Sequence, residues 1–252
     1  MKARAWLPPF LLLLALLGLW QLAAESGFMA DTLGLESFLV PAPSEIAEVL
    51  WQDRGLILEN ARTTLVEIVA GFILALVCGL LVAFAFRSSE LIRRAGYPLV
   101  VASQTIPVIV VAPILVVWFG YGIWPKLLII ALICFFPITV NALDGLRSAD
   151  REAMLMMRSL DASGLQVFRR VELPSALPGI FTGARIAAAV AVIGAVFGEW
   201  AGAEKGLGYL MLQDNAQLMT DRMFASVVVL SLIAILLYVL IGLLERVIVR
   251  WR

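Results

Sequence analysis

The residues best able to do chemistry in this chain lie in a polar segment, residues 147–178, between two long apolar runs. The segment holds five arginines, which are Arg147, Arg151, Arg158, Arg169 and Arg170. Membrane proteins carry an excess of Arg and Lys on their cytoplasmic loops, so these arginines place the segment in the cytoplasm. Because a cytosolic partner can reach the segment, we predict that its function is to bind such a partner.

The sequence also excludes several kinds of catalysis. It contains no histidine, which rules out His-dependent zinc sites, Ser-His-Asp triads and histidine proton relays. It lacks a phosphate-binding loop of the GxxxxGKS/T type, so we expect no ATPase activity in this chain. Cys78 and Cys134 fall within apolar runs and are predicted to be small buried side chains instead of a disulfide. No catalytic residue, metal ligand or bound cofactor is expected.

Composition indicates the fold class. With 62% hydrophobic residues over 252 positions and a mean hydropathy of +0.97, the chain has too little polar surface for a soluble domain. A helix needs about 20 apolar residues to cross the hydrocarbon core of a bilayer. The runs that qualify cover residues 6–24, 64–86, 99–119, 125–145, 179–198 and 223–244. We predict an all-α polytopic membrane protein with a single transmembrane domain, residues 1–252; its zero net charge gives no argument for a nucleic-acid partner.

The basic residues orient the chain. Thirteen of them fall on one side of the six spans and five on the other, so both termini are predicted to be cytoplasmic. The remaining one, Arg185, lies near the start of the fifth span, where snorkelling to the interface is favoured over a role in transport. Lys2 and Arg4 precede the first run as in a signal peptide. The length of that run favours a retained span, with cleavage after Ala24 as the alternative.

Several helices carry features that predict their shape and packing. Pro107 and Pro113 should kink the third span, and Pro137 the fourth. Ser44 is predicted to cap an outer helix that continues to Ile57 and lies along the membrane surface. The fifth span has a face of small residues that lets another helix approach closely, in the same subunit or in a second copy. These residues are Gly179, Gly183, Ala187, Ala191 and Ala195.

Two short helices are predicted within the polar segment. Asp150 can cap the first, which ends at Asp161. Ser163 and Gln166 form a capping box for the second, which is predicted to end before Pro174. The apolar residues of the first helix are Met154, Leu155, Met157 and Leu160. Their pattern indicates either a docking surface or a face against the membrane or the bundle.

The segment resembles the cytoplasmic loop of permease subunits from binding-protein-dependent ABC importers. Those loops carry a Glu-Ala-Ala head, a following glycine and an apolar-Leu-Pro ending. The ending is present here at residues 168–174, Phe-Arg-Arg-Val-Glu-Leu-Pro. The head differs, because Leu155, Met156 and Met157 replace Glu-Ala-Ala and Asp161 replaces the glycine. Glycine adopts a positive φ freely, whereas aspartate does so at a cost.

The resemblance covers nearly the whole chain and implies the type I ABC importer permease fold. It implies that residues 146–178 form a cytosolic coupling loop seated in a cleft of an ATPase subunit. Closure of the ATPase subunit would then move the membrane helices. The implied partners are two copies of that ATP-binding subunit, which use ATP and Mg, a second permease copy, a periplasmic or lipoprotein solute-binding protein, and the lipid of a bacterial inner membrane. The residues implied to contact the ATPase are Arg158, Ser159, Leu160, Asp161, Ala162, Ser163, Gly164, Phe168, Leu173 and Pro174.

Within that family the chain is similar to the branch that imports sulfonates, taurine, nitrate and thiamine-precursor pyrimidines. The segments Val40-Pro-Ala-Pro-Ser44 and Trp118-Phe-Gly-Tyr-Gly122 carry this likeness. The stretch at residues 193–200, Ile-Gly-Ala-Val-Phe-Gly-Glu-Trp, is most like permeases for hydroxymethylpyrimidine-type precursors. The resemblance thus implies a thiamine-precursor pyrimidine as substrate, with alkanesulfonate, taurine or nitrate as the alternative. A secondary transporter would need ionisable residues at mid-membrane, and the spans are nearly free of them.

Four residues are candidates for a substrate path. Gln104 and Thr105 in the third span could face a polar path, although hydrogen bonding to a neighbouring helix is favoured. Glu199 and Trp200 lie at the end of the fifth span. Trp is an ordinary anchor at the membrane interface there, and a contribution to the substrate gate is the alternative. Glu67, near the outer end of the second span, is either functional or simply hydrated.

Overall fold

The computed structural model describes residues 3–28, 32, 34, 36 and 39–250. Lys2 and Arg252, two of the basic residues used for orientation, lie outside the described residues. The described helices are α1 (Ala3–Glu25), α2 (Pro43–Gln52), α3 (Arg54–Ser88), α4 (Glu90–Ser103), α5 (Val108–Phe119), α6 (Ile123–Arg147), α7 (Arg151–Ser159), α8 (Gly164–Val167), α9 (Leu173–Gly202), α10 (Leu207–Ala216) and α11 (Thr220–Ile248), with a π-helical turn at Phe168–Glu172.

Long apolar helices form the body of the molecule. Five helical stretches are long and apolar enough to cross a membrane, and a sixth span results if α4 and α5 are taken as one bent pair. The described part of the chain contains no β-strand. The prediction of an all-α polytopic membrane protein is confirmed.

The predicted kink at Pro107 is present, but the prediction that the third span, residues 99–119, is one helix is wrong. The region consists of α4 and α5, which meet at a bend of 100°. Pro107 has no N–H to continue the hydrogen bonds of α4, and it disfavours helical geometry at the residue before it. The backbone N–H and the hydroxyl of Thr105 both donate to the Ala102 carbonyl, at 3.0 and 2.8 Å. These bonds close the end of α4 and leave Thr105 in the link between the two helices.

The outer helix after the first span begins and ends earlier than expected. Pro43 takes the first helical position, which suits a residue without an N–H, so Ala42 is the N-cap and the predicted cap at Ser44 is wrong. The Glu45 carboxylate accepts a hydrogen bond from the Ala42 N–H at 2.8 Å. The helix ends before Ile57, which belongs to α3.

The centre of the bundle is the contact between α6 and α9. A Cβ atom at Gly183 would lie 2.6 Å from the Pro137 carbonyl oxygen, and one at Gly179 would lie 2.6 Å from the Asn141 carbonyl oxygen. Only glycine allows backbones to approach this closely. The remaining small residues of this face, Ala187, Ala191 and Ala195, are fully buried. The small face therefore packs inside the subunit.

Candidate functional site

Residues 146–178, which the resemblance implies to be a coupling loop and which keep that name here, begin with a capped helix that has a tight end. The Asp150 carboxylate accepts a hydrogen bond from the Glu152 N–H at 2.8 Å, so the predicted cap is present. Beyond the helix, Asp161 has a φ of +54°, and the Ala162 N–H reaches back to the Met157 carbonyl at 3.1 Å. Asp161 thus adopts the left-handed backbone conformation at the position where the family pattern has glycine.

The coupling loop carries an exposed apolar surface. Leu160 is 69% exposed and Leu165 is 65% exposed. Leu155 and Met156, in the helix before Leu160, are also exposed, and so is Arg158 in the same helix. Apolar side chains grouped on a surface and rimmed by charge are typical of a protein interaction site.

The second half of the coupling loop does not stop before Pro174, and that prediction is wrong. The predicted capping box is present, with the Ser163 N–H donating to Gln166 Oε1 at 2.7 Å. In the π-helical turn that follows, the Leu173 N–H bonds to the Phe168 carbonyl. Pro174 is tolerated within the helix because it follows the π-helical turn, where the backbone hydrogen bonds already depart from the α-helical pattern that a proline would interrupt. The stretch from α8 to the end of α9 is continuous over 39 residues.

Arg87 fixes the coupling loop to the end of α3. Its Nη2 donates to Glu172 Oε1 at 2.9 Å and its Nε donates to Glu172 Oε2. The guanidinium carbon lies 4.8 Å from the centroid of the Phe168 ring, which in turn meets the ring of Phe84 edge-on at 5.7 Å. The resemblance of the sequence to the family indicated Phe168 but neither Arg87 nor Glu172. The available signal was an arginine in the last turn of one span and a glutamate inside the Leu-Pro ending.

The ten residues implied to contact an ATPase divide into two groups. The exposed group contains Arg158, Ser159, Leu160, Asp161, Ser163 and Gly164. The half-buried group contains Ala162, Phe168, Leu173 and Pro174. The first group is free to meet a partner, whereas the second supports it from the side of the bundle.

At the opposite end of the bundle, called the outer end below, Glu199 is the centre of a buried polar cluster. Its side chain is 1% exposed. Glu199 Oε1 accepts from the Thr64 hydroxyl at 2.6 Å, and Oε2 accepts from the N–H groups of Gly208 and Tyr209 at 2.5 and 3.2 Å. Thr64 also accepts from the Leu207 N–H at 2.8 Å. A carboxylate is favourable at the start of α10, where the N–H groups are unpaired, and here it joins α3, α9 and α10.

A buried ion pair lies at the same end. Lys126 Nζ donates to Glu67 Oε1 at 2.5 Å, and the two side chains are 10% and 4% exposed. Both line an outer cavity of about 700 Å³. Lys205, on its rim, donates to Glu59 at 2.7 Å, and this hydrogen bond raises the pKa of Lys205. With Arg62 and Glu204, the cavity has three basic and three acidic side chains. Glu67 was a candidate from its sequence position, whereas its partner Lys126 was not, although Lys126 lies at the start of a span on the same side.

The structure does not bring together the four residues considered for a substrate path. Gln104 and Thr105 lie exposed in the link between α4 and α5. Glu199 is buried in its cluster, and Trp200 Nε1 donates to a backbone carbonyl at 2.9 Å. None of the four lines the outer cavity. Within the described residues, no group of three or more His, Cys, Asp or Glu side chains could hold a metal ion.

Comparison with known proteins relates this architecture to one family. Residues 71–252 match the family model described as binding-protein-dependent transport system inner membrane component. The formylaminopyrimidine transport permease protein ThiX of Halalkalibacterium halodurans is 40% identical over 247 residues, which are 98% of this chain and 96% of that protein.

Other relatives are named for different substrates. The riboflavin transport system permease protein RibX of Chloroflexus aurantiacus is 38% identical over 86% of this chain and 82% of its own length. The taurine transport system permease protein TauC of Escherichia coli is 31% identical over the same two fractions, 86% and 82%. Among solved structures, the inward facing MetNI methionine ABC transporter is similar with a TM-score of 0.57 at 25% identity, covering 81% of this chain and 97% of that one.

Proposed function

This chain belongs to the family of binding-protein-dependent transport system inner membrane components, and from that membership we propose its substrate, its partners and its orientation. The chain is the membrane permease of an ABC importer. Its proposed substrate is a thiamine-precursor pyrimidine, of the formylaminopyrimidine or hydroxymethylpyrimidine type. The observation that carries this proposal is the 40% identity to ThiX over nearly the full length of both chains.

The charge of the outer cavity supports a pyrimidine over a sulfonate. An aminopyrimidine is a small planar ring that is uncharged near neutral pH. The cavity balances three basic against three acidic side chains, and Tyr121 adds an aromatic group to its lining. A sulfonate is a permanent anion, which charge-assisted hydrogen bonds from an excess of basic groups would favour. The balanced lining suits the neutral ring better.

The exposed surface of the coupling loop is the proposed contact with an ATP-binding subunit. Leu160 and Leu165 would insert into an apolar cleft of that subunit, and Arg158 would lie at its edge. Movement of the ATPase would then reach α9 directly, because no break separates α8 from α9. It would also reach α3 through the bond between Arg87 and Glu172.

The proposed assembly contains two permease copies, two ATP-binding subunits and a solute-binding protein. The coupling loop and both termini face the cytoplasm in this proposal, which the thirteen-to-five distribution of basic residues supports. The solute-binding protein would then deliver its ligand at the outer end. ATP and Mg are bound by the ATPase subunits in this arrangement.

The substrate is tested with the solute-binding protein that binds this permease complex. Calorimetry should show that it binds formylaminopyrimidine, and proteoliposomes containing the full complex should take that compound up only with ATP supplied to the ATPase side. Binding of taurine or another sulfonate, with uptake to match, would overturn the pyrimidine assignment. Uptake that stops when the proton gradient is dissipated at constant ATP would overturn ATP-driven import.

Riboflavin is the second candidate substrate, because RibX is 38% identical to this chain. Riboflavin is also an uncharged heteroaromatic compound, so a charge-balanced cavity does not separate it from a pyrimidine. The same calorimetry with riboflavin as ligand decides between the two.

A further inference from the structure

Arg185 lies at the inner end of the bundle, the end that carries the coupling loop. Its Nη2 donates to Glu245 Oε2, and its guanidinium carbon lies 5.8 Å from the centroid of the Tyr238 ring. Glu245 is in the last turn of α11, which ends at Ile248. A helix rises about 1.5 Å per residue, so Arg185 is within about 5 Å of the level where α11 ends. The sixth apolar run ends at residue 244, so the pair of Arg185 and Glu245 lies at the inner edge of that predicted span and not at its middle.

The same residues line an open groove between α9 and α11 with a volume of about 770 Å³. Its charged residues are Arg185, Glu245, Arg246 and Arg250. Because Glu245 pairs with Arg185, the two remaining arginines leave a net charge of two positive. Arg246 and Arg250 are both exposed.

The remaining wall of the groove is apolar. Val239, Leu243 and Val249 line it beside the arginines, and Gly242 lies on α11 where a side chain would otherwise project. A Cβ atom at Gly242 would lie 3.8 Å from Arg185 Cδ, which is an ordinary contact. The absence of a side chain at this position keeps the groove open.

We propose that this groove binds one anionic phospholipid of the cytoplasmic leaflet. Arg246 and Arg250 would contact the phosphate, and Leu243 and Val239 would contact the upper part of an acyl chain. Basic pockets between helices at the cytoplasmic boundary bind anionic headgroups through this combination of charge and apolar surface. Free phosphate would satisfy the arginines but would make no contact with the apolar wall. The proposal uses the orientation given above and is independent of the transported substrate.

Native mass spectrometry of the permease complex tests the proposal. The complex, with its ATP-binding subunits, is reconstituted in nanodiscs of phosphatidylcholine and phosphatidylglycerol in equal amounts, and the lipid retained after mild extraction is counted. The wild type should retain phosphatidylglycerol preferentially. A basic residue near the bilayer surface contributes about fivefold to this preference, so Arg246→Gln with Arg250→Gln should lower it about 25-fold.

Two further variants separate charge from shape. Arg93→Gln with Arg94→Gln removes the same charge at the cytoplasmic end outside the groove, and the preference should stay within about twofold of the wild type. Gly242→Leu keeps every arginine but fills the groove, and should reduce retention of both lipids. Leucine is also favourable in a helix, so this variant should fold.

Four results would overturn the proposal. The first two are equal retention of the two lipids by the wild type and an unchanged preference for phosphatidylglycerol in the double arginine variant. The third is full displacement of phosphatidylglycerol by excess inorganic phosphate. The fourth is a disulfide between two permease copies through Leu243→Cys. The last is measured in a Cys78→Ser background, because Cys78 is exposed and the prediction that it is buried is wrong. Such a disulfide would show that a second copy occupies the groove.

Discussion

The guanidinium of Arg87 holds both carboxylate oxygens of Glu172, so the end of α3 and the start of α9 form one unit. Phe168 packs on the same guanidinium from the coupling loop. Two elements that are far apart in sequence, the end of α3 and the π-helical turn at Phe168–Glu172, therefore meet at one arginine. The coupling loop cannot shift relative to the bundle without moving α3 or breaking this contact.

Glu172→Gln should uncouple ATP hydrolysis from uptake. Glutamine keeps the shape of the side chain but loses its charge, and a hydrogen bond to a charged partner contributes about 2 kcal/mol. We expect uptake in proteoliposomes to fall while hydrolysis stimulated by the binding protein persists, together with a lower unfolding temperature. Hydrolysis and uptake are measured on the same preparation.

Two variants control this experiment. Arg94→Gln removes an exposed arginine whose pair with Glu90 lies on the surface, and surface pairs contribute little, so its ratio of uptake to hydrolysis should match the wild type. Arg87→Glu combined with Glu172→Arg should restore part of the lost uptake. An unchanged ratio in Glu172→Gln would contradict a transmitting role for the pair.

Leu160→Glu and Leu165→Glu should each weaken binding of the ATP-binding subunit by more than tenfold, because central apolar contacts of an interface commonly contribute 2 kcal/mol or more. Both side chains are exposed, so the fold should be unaffected. Leu91→Glu is the matched control, since Leu91 is 78% exposed on α4 outside the coupling loop. Co-purification and thermal unfolding are the measurements. Equal recovery of the ATPase with all three variants would show that it docks elsewhere.

Asp161→Gly should stabilise the coupling loop. Asp161 holds a φ of +54°, and a side chain in that region costs about 1 kcal/mol relative to glycine. The variant should unfold at a higher temperature, whereas Asp161→Val should unfold at a lower one because a β-branched residue fits this conformation worst. If the glycine variant is less stable than the wild type, the aspartate side chain has a favourable interaction that outweighs its strain.

Gly206→Ala should destabilise the outer end strongly. The φ of Gly206 is +128°, and a Cβ atom there would collide with the Glu199 carboxylate. Backbone strain and displacement of this carboxylate together should cost about 3 kcal/mol. Gly18→Ala is the control, because a Cβ at Gly18 in α1 would contact nothing within 4 Å, and it should be neutral or stabilising. Similar unfolding temperatures for the two variants would contradict the close contact with Glu199.

Local sequence signals predicted the parts of this structure that depend on neighbouring residues. The caps at Asp150 and Ser163 are formed by side chains within three positions of their partners, and both are present. Local signals gave a wrong N-cap at Ser44, because the helix already begins at Pro43. They also gave a wrong helix end before Pro174, because the preceding π-helical turn lets the helix continue.

Long-range pairs could not be derived from one sequence. Arg87 and Glu172 are 85 positions apart, and Glu67 and Lys126 are 59 apart. The position of a residue in the sequence indicates only its depth in the membrane and the side of the membrane to which it is closer. Which residues pair depends on which helices are neighbours and on how each helix is rotated about its axis. The contact between α6 and α9 sets much of that arrangement, and its glycines predicted close packing without naming the partner helix.

The unbroken helix from α8 to the end of α9 has a mechanical consequence. Its 39 residues span about 58 Å at 1.5 Å per residue. Leu165 stands at one extreme of this rod and Glu199 near the other. A tilt of about 5° at the inner extreme would carry Glu199 sideways by about 5 Å, which is more than any hydrogen bond tolerates. The hydrogen bonds between Glu199 and the start of α10 must then either break or move α10 together with α9. The conformation of the loop around Gly206 therefore depends on the position of the helix at the opposite side of the membrane.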